Sequence, residues 1–372
     1  MTTTINNEHK KLNVPNLRFP EFQGEWEKFK LSDLCTFFSG GTPSSSNKDF
    51  YGGDIAFIRS GELHADSTEL FISQDGYDNS SAKMVEIGDL LLAMYGATSG
   101  DIAISKIKGA INQAILCIRT NQNKKFIESV WNKHVSKILR KYLQGGQGNL
   151  SADIVKGISF SFPTLEEQER IANLISLLDE RIATQNKIID KLQSLIKGIA
   201  HKVSKQGKPN IRLSECLLCT SSTLQESDVA EVGAYPVYGA NGIVGYLDTY
   251  NTTSEAIYII KDGSGVGAVS CVKGKCSATG TLNILQTKEG FSLRYLYFIL
   301  KVFSFEPYKT GMAIPHIYFK DYGKAKIYCP SNQLQCKYAD LLSKIEQKAT
   351  AEQKILDNLC SQKQYLLCQM FI

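Results

Sequence analysis

The sequence predicts an α+β chain: two α/β modules joined by two long helices that pair with each other as an intramolecular antiparallel coiled coil. Three observations predict it. A segment beginning at Pro163 returns at Pro330 and stays in register without a gap to Ile372. Inside both copies, apolar residues recur in steps of four and three. In front of each copy lies a stretch of short apolar runs broken by Gly, Ser and Asn. At 372 residues the chain exceeds one ordinary core and suggests two or three domains. Its apolar fraction of 43% is that of a folded protein, not a disordered one.

The first module is assigned to residues 14–163. It carries Lys30-Leu31-Ser32-Asp33-Leu34, strand-like runs such as Ile102-Ala103-Ile104, and a helical stretch from about Phe126 to Leu143. The loop Gly145-Gly146-Gln147-Gly148 follows. The first long helix is assigned to 164–204. Thr164 is a natural N-cap after a proline, and Glu167 completes a capping box with it. Ile171, Ile175, Leu178, Ile182, Ile189, Leu192, Ile196, Ile199 and Val203 form the seam, interrupted only by Gln185. Such steps over about five heptads indicate a coiled-coil helix, which at ~39 residues is ~58 Å long.

The second module, 205–330, echoes the first. Arg212-Leu213-Ser214-Glu215-Cys216 answers Lys30–Leu34, Ala256–Ile260 reads as a strand, and Ser292–Phe303 reads as a late helix. Thr310-Gly311-Met312 stands where the earlier glycine loop stood. The second helix, 331–372, opens at Ser331. Its seam is Tyr338, Leu342, Ile345, Ala349, Leu356, Leu359, Leu366 and Met370, with Glu352 and Lys363 as polar interruptions. Glu352 falls at the repeat position of Gln185. Two matched helices on one chain can pair intramolecularly, and burying that many Leu and Ile side chains is worth tens of kcal/mol gross, at ~1.5–3 kcal/mol each.

The chemistry the sequence lacks is also informative. None of the nine prolines is followed by another, so the Asn/Asp-Pro-Pro-aromatic element of adenine methyltransferases is missing. No Gly-x-x-x-x-Gly-Lys-Ser/Thr phosphate loop occurs. Gly263-Ser264-Gly265-Val266-Gly267 has glycines but not the spacing that opens a dinucleotide-binding helix, and reads as a turn between strands. The five histidines form no metal or triad pattern. Cys216 and Cys219, with Cys271 and Cys276, are spaced too unevenly for a zinc knuckle and read as small buried hydrophobes. No cofactor or metal is expected, and the chain reads as a binder, not an enzyme. The polar stretch Met1–Asn13 lacks a signal core and no apolar run reaches ~20 residues, so a cytoplasmic protein without membrane partner is expected.

At this point the residues resemble those of a known family, the specificity subunits of type I restriction–modification systems. The likeness covers nearly the whole chain. Val14-Pro15-Asn16-Leu17-Arg18-Phe19-Pro20-Glu21-Phe22, with Trp26-Glu27, is similar to the family's opening. Phe160-Ser161-Phe162-Pro163-Thr164-Leu165-Glu166-Glu167-Gln168 is similar to its entry into the first spacer helix, and Tyr235-Pro236-Val237-Tyr238-Gly239-Ala240-Asn241-Gly242 to one type of second module. The resemblance implies that each module is a target-recognition domain reading one half of a split duplex-DNA sequence, with the helices fixing the gap. It also implies two adenine methyltransferase subunits as partners and, for cleavage, ATP-driven motor-nuclease subunits. A related system that cuts on both sides of its site is an alternative, and so is a coiled-coil scaffold that binds proteins rather than DNA.

The formal charge of +5 is modest, so its location matters more than its total. Lys191, Lys197, Lys202, Lys205, Lys208 and Arg212 follow one another with no acid between Lys191 and Ser214. Arg119, Lys124, Lys125, Lys133, Lys137, Arg140 and Lys141 form a second basic stretch, and Arg294–Lys326 a third, diluted by acids. Such stretches suit phosphate contact, or simply a solvated face. Base edges are read by side chains on loops. The candidates are Gln144, Gln147 and Asn149 at the first glycine loop, Thr310 and His316 at the second, and Arg59, Ser60, Tyr238, Asn241 and Lys261. A further apolar line runs beside the seam at Leu174, Ile188 and Leu195, repeated at Leu341 and Ile355. It is read either as the dock for the two methyltransferase subunits or as packing against the neighbouring module.

Overall fold

The computed structural model describes residues 13–142 and 149–372. The first module opens with β1 (Glu27–Lys30), the one-turn helix α1 (Leu31–Leu34) and β2 (Cys35–Ser39). Its middle holds β3 (Tyr51–Ile58), β4 (Phe71–Ile72), α2 (Gln74–Asp78), β5 (Lys83–Val85), β6 (Leu90–Ala93), β7 (Ile102–Ile104), β8 (Gly109–Ile111) and β9 (Ile115–Thr120). Helices α3 (Lys124–Tyr142) and α4 (Ala152–Gly157) and strand β10 (Ser159–Phe162) lead into the long helix α5 (Leu165–Ser204). The second module has β11 (Ile211–Arg212), α6 (Leu213–Cys216), β12 (Leu217–Ser221), β13 (Tyr235–Gly239), β14 (Gly242–Leu247) and β15 (Ala256–Ile260). It continues with β16 (Val269–Val272), β17 (Ser277–Ala278), β18 (Leu282–Thr287), α7 (Leu293–Lys301), α8 (Phe319–Tyr322) and β19 (Lys326–Ile327). The second long helix, α9, spans Asn332–Met370.

The chain divides into two compact units, one running to Ala183 and including Asp357–Ile372, the other formed by Thr184–Leu356. Each unit therefore holds one module, half of α5 and part of α9.

In the first unit an antiparallel sheet runs β2-β9-β6-β7. Strand β6 reads Leu90-Leu91-Leu92-Ala93 with every residue buried, because both its faces are covered. Leu90 and Leu92 pack with Phe126 and Trp131 of α3, while Leu91 and Ala93 pack with Ile58 and Ile111. Ile58 and Ile111 belong to the smaller sheet β4-β3-β8-β5, in which β3 and β8 are parallel. Ile171 and Ile175 of α5 join the same core as Met370 at the end of α9. Asp179 of α5 takes Lys363 of α9 at 2.6 Å and Lys125 of α3 at 2.8 Å. Residue numbers rise along α5 as they fall along α9, so the two segments are antiparallel.

The second unit repeats this plan. Its antiparallel sheet runs β12-β18-β15-β16, and a smaller sheet β14-β13-β17 again contains one parallel pair, β13 with β17. Ile196, Ala200 and Val203 of α5 and Ala339 and Leu342 of α9 share a core with Tyr295–Leu300 of α7. Gln185 meets Glu352, 167 residues away: its amide nitrogen donates to the Glu352 backbone carbonyl at 3.0 Å and also to the carboxylate. The polar interruption common to both repeats is thus satisfied by itself, as a buried polar pair must be. Every apolar seam position expected in the two helices is buried or half-buried.

The interval that separates Gln185 from Glu352 also relates Leu90–Ala93 to Ile257–Ile260, Ile102–Ile104 to Val269–Cys271, and Ile115–Thr120 to Leu282–Thr287. The repeat therefore extends back into the modules. Ala256–Ile260 answers Leu90–Ala93, whereas Ile102–Ile104 answers the next strand. Both helix starts use the same device. Gln168 and Gln335 are buried, and each donates to the carbonyl of the preceding proline, Pro163 or Pro330, at 2.9 Å. Each also accepts from a backbone N–H at the start of the module's late helix, Asn123 at 3.2 Å or Ser292 at 3.0 Å. One turn position differs. Glu167 is buried on Arg18 (2.7 Å) and Trp26 Nε1 (3.3 Å), while its repeat position holds the exposed Leu334.

Candidate nucleic-acid interface

In each unit the main sheet ends in loops held together by equivalent backbone hydrogen bonds. In the first, Met94 follows β6: its N–H donates to Ala114 O at 2.8 Å, and its carbonyl accepts from Leu150 N at 2.9 Å. In the second, Lys261 follows β15: its N–H donates to Thr281 O at 2.9 Å, and its carbonyl accepts from Ile317 N at 2.9 Å. Leu150 and Ile317 are fully buried, so the loop after each late helix is pinned to the end of the sheet. The parallel pair of the smaller sheet arrives at the same edge, through Ile58 beside Ile111 and Tyr238 beside Ala278.

Most of the sequence-predicted readers gather at these edges. Arg59 and Ser60 directly follow β3, and Arg59 is held by Glu62 at 2.8 Å while its side chain stays half exposed. Asn149 is exposed next to the buried Leu150. Gln144 and Gln147 lie outside the described residues. In the second unit, Tyr238 ends its ring against Tyr258 and its carbonyl accepts from Thr279 N at 2.8 Å. Asn241 sits exposed in the turn between β13 and β14, which Gly242 closes at φ +103°. Thr310 and His316 exchange backbone hydrogen bonds of 2.9 and 2.8 Å, and His316 also bridges Asp262, next to Lys261. Tyr238, Lys261, Thr310 and His316 are therefore strung along one edge. Gly263–Gly267 is the connection between the antiparallel strands β15 and β16.

Lys133 goes elsewhere. Its ammonium donates to the carbonyls of Cys368 (3.2 Å) and Phe371, at the end of α9, where helix carbonyls lack intrahelical partners. The rest of its basic stretch is split the same way. Arg119 and Lys124 are held by Asp89 at 2.7 and 3.7 Å, and Lys125 by Glu128 and Asp179. Burial acts to raise the Asp89 carboxyl, but the hydrogen bonds from Arg119 and the Glu86 N–H, with the charges of Arg119 and Lys124, together outweigh it and hold it below the usual carboxylate range. Lys137, Arg140 and Lys141 remain exposed. So do Lys191, Lys197, Lys202, Lys205, Lys208 and Arg212, with no ion pair recorded among the described residues. In the third stretch, Arg294 is taken by Glu255 and Glu346, and Lys301 by Glu346.

The apolar line beside the seam divides as well. Leu174 packs against the first unit's core, whereas Ile188, Leu195, Leu341 and Ile355, all in the second unit, are 37–48% exposed. The four cysteines singled out by spacing are spread over two cores: Cys216 belongs to one, with Cys219 and Cys271 packed against it, and Cys276 to another. Burial pushes the Cys216 and Cys271 thiols up to about 12, so neither is a thiolate near neutral pH. Among the described residues no three His, Cys, Asp or Glu side chains group as a metal site, and no helix is long and apolar enough to cross a membrane.

Sequence reasoning passed over several residues at the same edges. Tyr95, beside Met94, is exposed, and so are Gln113, Met312, Ile314 and Tyr318. The signal was available in the repeat interval, which sets Met94 against Lys261, but substituted strands hid it.

Comparison with known proteins places this geometry. A family model described as the type I restriction modification DNA specificity domain matches residues 23–194 and 216–360. The chain is 24% identical over 196 residues to the type I restriction enzyme MjaVIII specificity subunit of Methanocaldococcus jannaschii, covering 51% of this chain and 44% of that one. It is 26% identical over 193 residues to the EcoR124I/EcoR124II specificity subunit of Escherichia coli, covering 48% and 47%. The chain spans about half the length of the curated relatives it matches. In fold it is similar to the type I restriction-modification S subunit from M. genitalium, with a TM-score of 0.68 at 19% identity over 96% of this chain and 99% of that one. A chain from a structure addressing complex assembly and conformational transition of the type I R-M system gives 0.52 at 16% identity, over 92% and 96%.

Proposed function

Because the chain belongs to the type I restriction–modification DNA specificity family, we propose that it reads a bipartite duplex-DNA target for such a system. Each module contacts one half of the target, and the paired helices set the unread gap between halves. The chain contributes recognition, while two adenine methyltransferase subunits methylate and motor-nuclease subunits cleave. The observation that carries this reading is the duplicated loop edge, in which Met94 and Lys261 tie equivalent loops to equivalent sheets. A protein that reads two different half-sites needs a common frame with divergent loops, and the sheets match while the loops do not. Exposed lysines from Lys191 to Lys208 supply charge for the phosphate backbone. Ile188, Leu195, Leu341 and Ile355 supply an uncovered apolar surface for the methyltransferase subunits.

The test is salt-dependent binding of duplex DNA by the chain assembled with its methyltransferase subunits. Binding of a bipartite duplex that weakens linearly in log–log against salt is expected. Equal binding to duplexes with either half scrambled would contradict the reading.

A further inference from the structure

The loop between Thr310 and His316 carries more apolar surface than anything in its surroundings explains. Met312 is fully exposed at 107% and Ile314 is 66% exposed, so neither contributes to a core. Yet the loop is rigidly built. Thr310 and His316 close it with two backbone hydrogen bonds, and Gly263 N donates to Pro315 O at 3.0 Å. Gly311 takes φ +89°, and a Cβ there would lie 2.3 Å from the Ile314 carbonyl, so only glycine lets the turn close. The result is an apolar tip held out on a stiff base. Near the base stand Lys261 and Lys320, the latter over the Tyr318 ring at 5.1 Å, with Asp262 bridged to His316. An apolar point with two lysines near its base matches a stacked, anionic duplex.

We infer that Met312 and Ile314 form a wedge that enters a base step of the DNA half-site read by the second unit, unstacking it and bending the duplex. Met and Ile are among the side chains that do this, and the deformation selects flexible pyrimidine–purine steps without base-edge contacts. In the repeat, Gly145 and Gln147 hold the corresponding sequence positions, so this device belongs to one half-site only. The inference rests on the reading of the chain as a DNA-specificity subunit.

The test uses the complex with its methyltransferase subunits and a duplex carrying 2-aminopurine at each step of that half-site in turn. The methylated adenine is left out, since its extrusion by a methyltransferase would give the same signal. Wild type is expected to raise fluorescence at one step. Met312→Ser with Ile314→Ser is expected to abolish that rise and to weaken binding about tenfold, leaving contacts to the other half-site unchanged. Leu218→Ser, at an exposed residue of β12 that pairs with Gln286 toward the opposite end of the sheet from Lys261, controls for general loss of apolar surface and is expected to keep the rise. A rise that survives the double substitution, or no rise in wild type, overturns the wedge. Loss of the methyltransferase subunits from the double variant in native mass spectrometry overturns it too, assigning the tip to a protein partner. Wild-type complex that binds no bipartite duplex removes the underlying reading, and the wedge with it.

Discussion

Two glutamines hold the frame together one residue at a time. Gln168 and Gln335 each bind a carbonyl on one side and a backbone N–H on the other, tying the start of a long helix to its module. Replacing Gln335 by Leu keeps the volume but leaves the Ser292 N–H and the Pro330 carbonyl without partners. A cost of about 2 kcal/mol is expected, because a buried polar group that loses its partner bears most of the desolvation penalty. Urea unfolding should show the midpoint falling at unchanged slope. An unaltered midpoint would mean that water satisfies both groups. Little of this was legible in the sequence. A glutamine three or four residues into a helix reads as a cap or a solvated side chain, and only the partner atoms show it to be buried. Lys133 misled in the opposite sense: counted among clustered cations, it proved to be the donor for the carbonyls that end α9.

Among the elements, the long helices were the most legible, since a heptad period survives substitution of every individual residue. The matched interruption at Gln185 and Glu352 was visible as a break, but that the two meet each other was not. The strands were harder. Leu90–Ala93 and Ile257–Ile260 share burial rather than identity, and strands covered on both faces lose the alternation that announces a strand. The sequence reads the line beside the seam as either a dock or internal packing; Ile188 and Ile355 are exposed rather than packed against a module, and docking of methyltransferase subunits is the role proposed for them. Changing both to Glu is expected to leave the helices folded while removing methyltransferase subunits from the complex in native mass spectrometry. Full complex at wild-type affinity would return the line to an ordinary solvent-facing surface. Leu174, on the same line in sequence, would be a poor choice because it packs in a core. A second element-scale prediction concerns length. One heptad inserted into both helices, after Thr184 and after Ala351, adds ~10 Å, or about three base pairs of gap, with both half-sites unchanged. Altered half-sites at an unchanged gap would contradict the helices' role as a spacer.

On the scale of the whole molecule, the design is a duplication whose sheets and helices match while its loops diverge. Under the proposed function, that division of labour would let one half of a target change without disturbing the other. The most direct measurement replaces residues 14–160 with the corresponding module of a relative and sequences the methylome of a host carrying the chimaera. One half of the methylated target should change, with the other half and the gap between them intact. A chimaera that rewrites both halves would show that the two modules do not read independently.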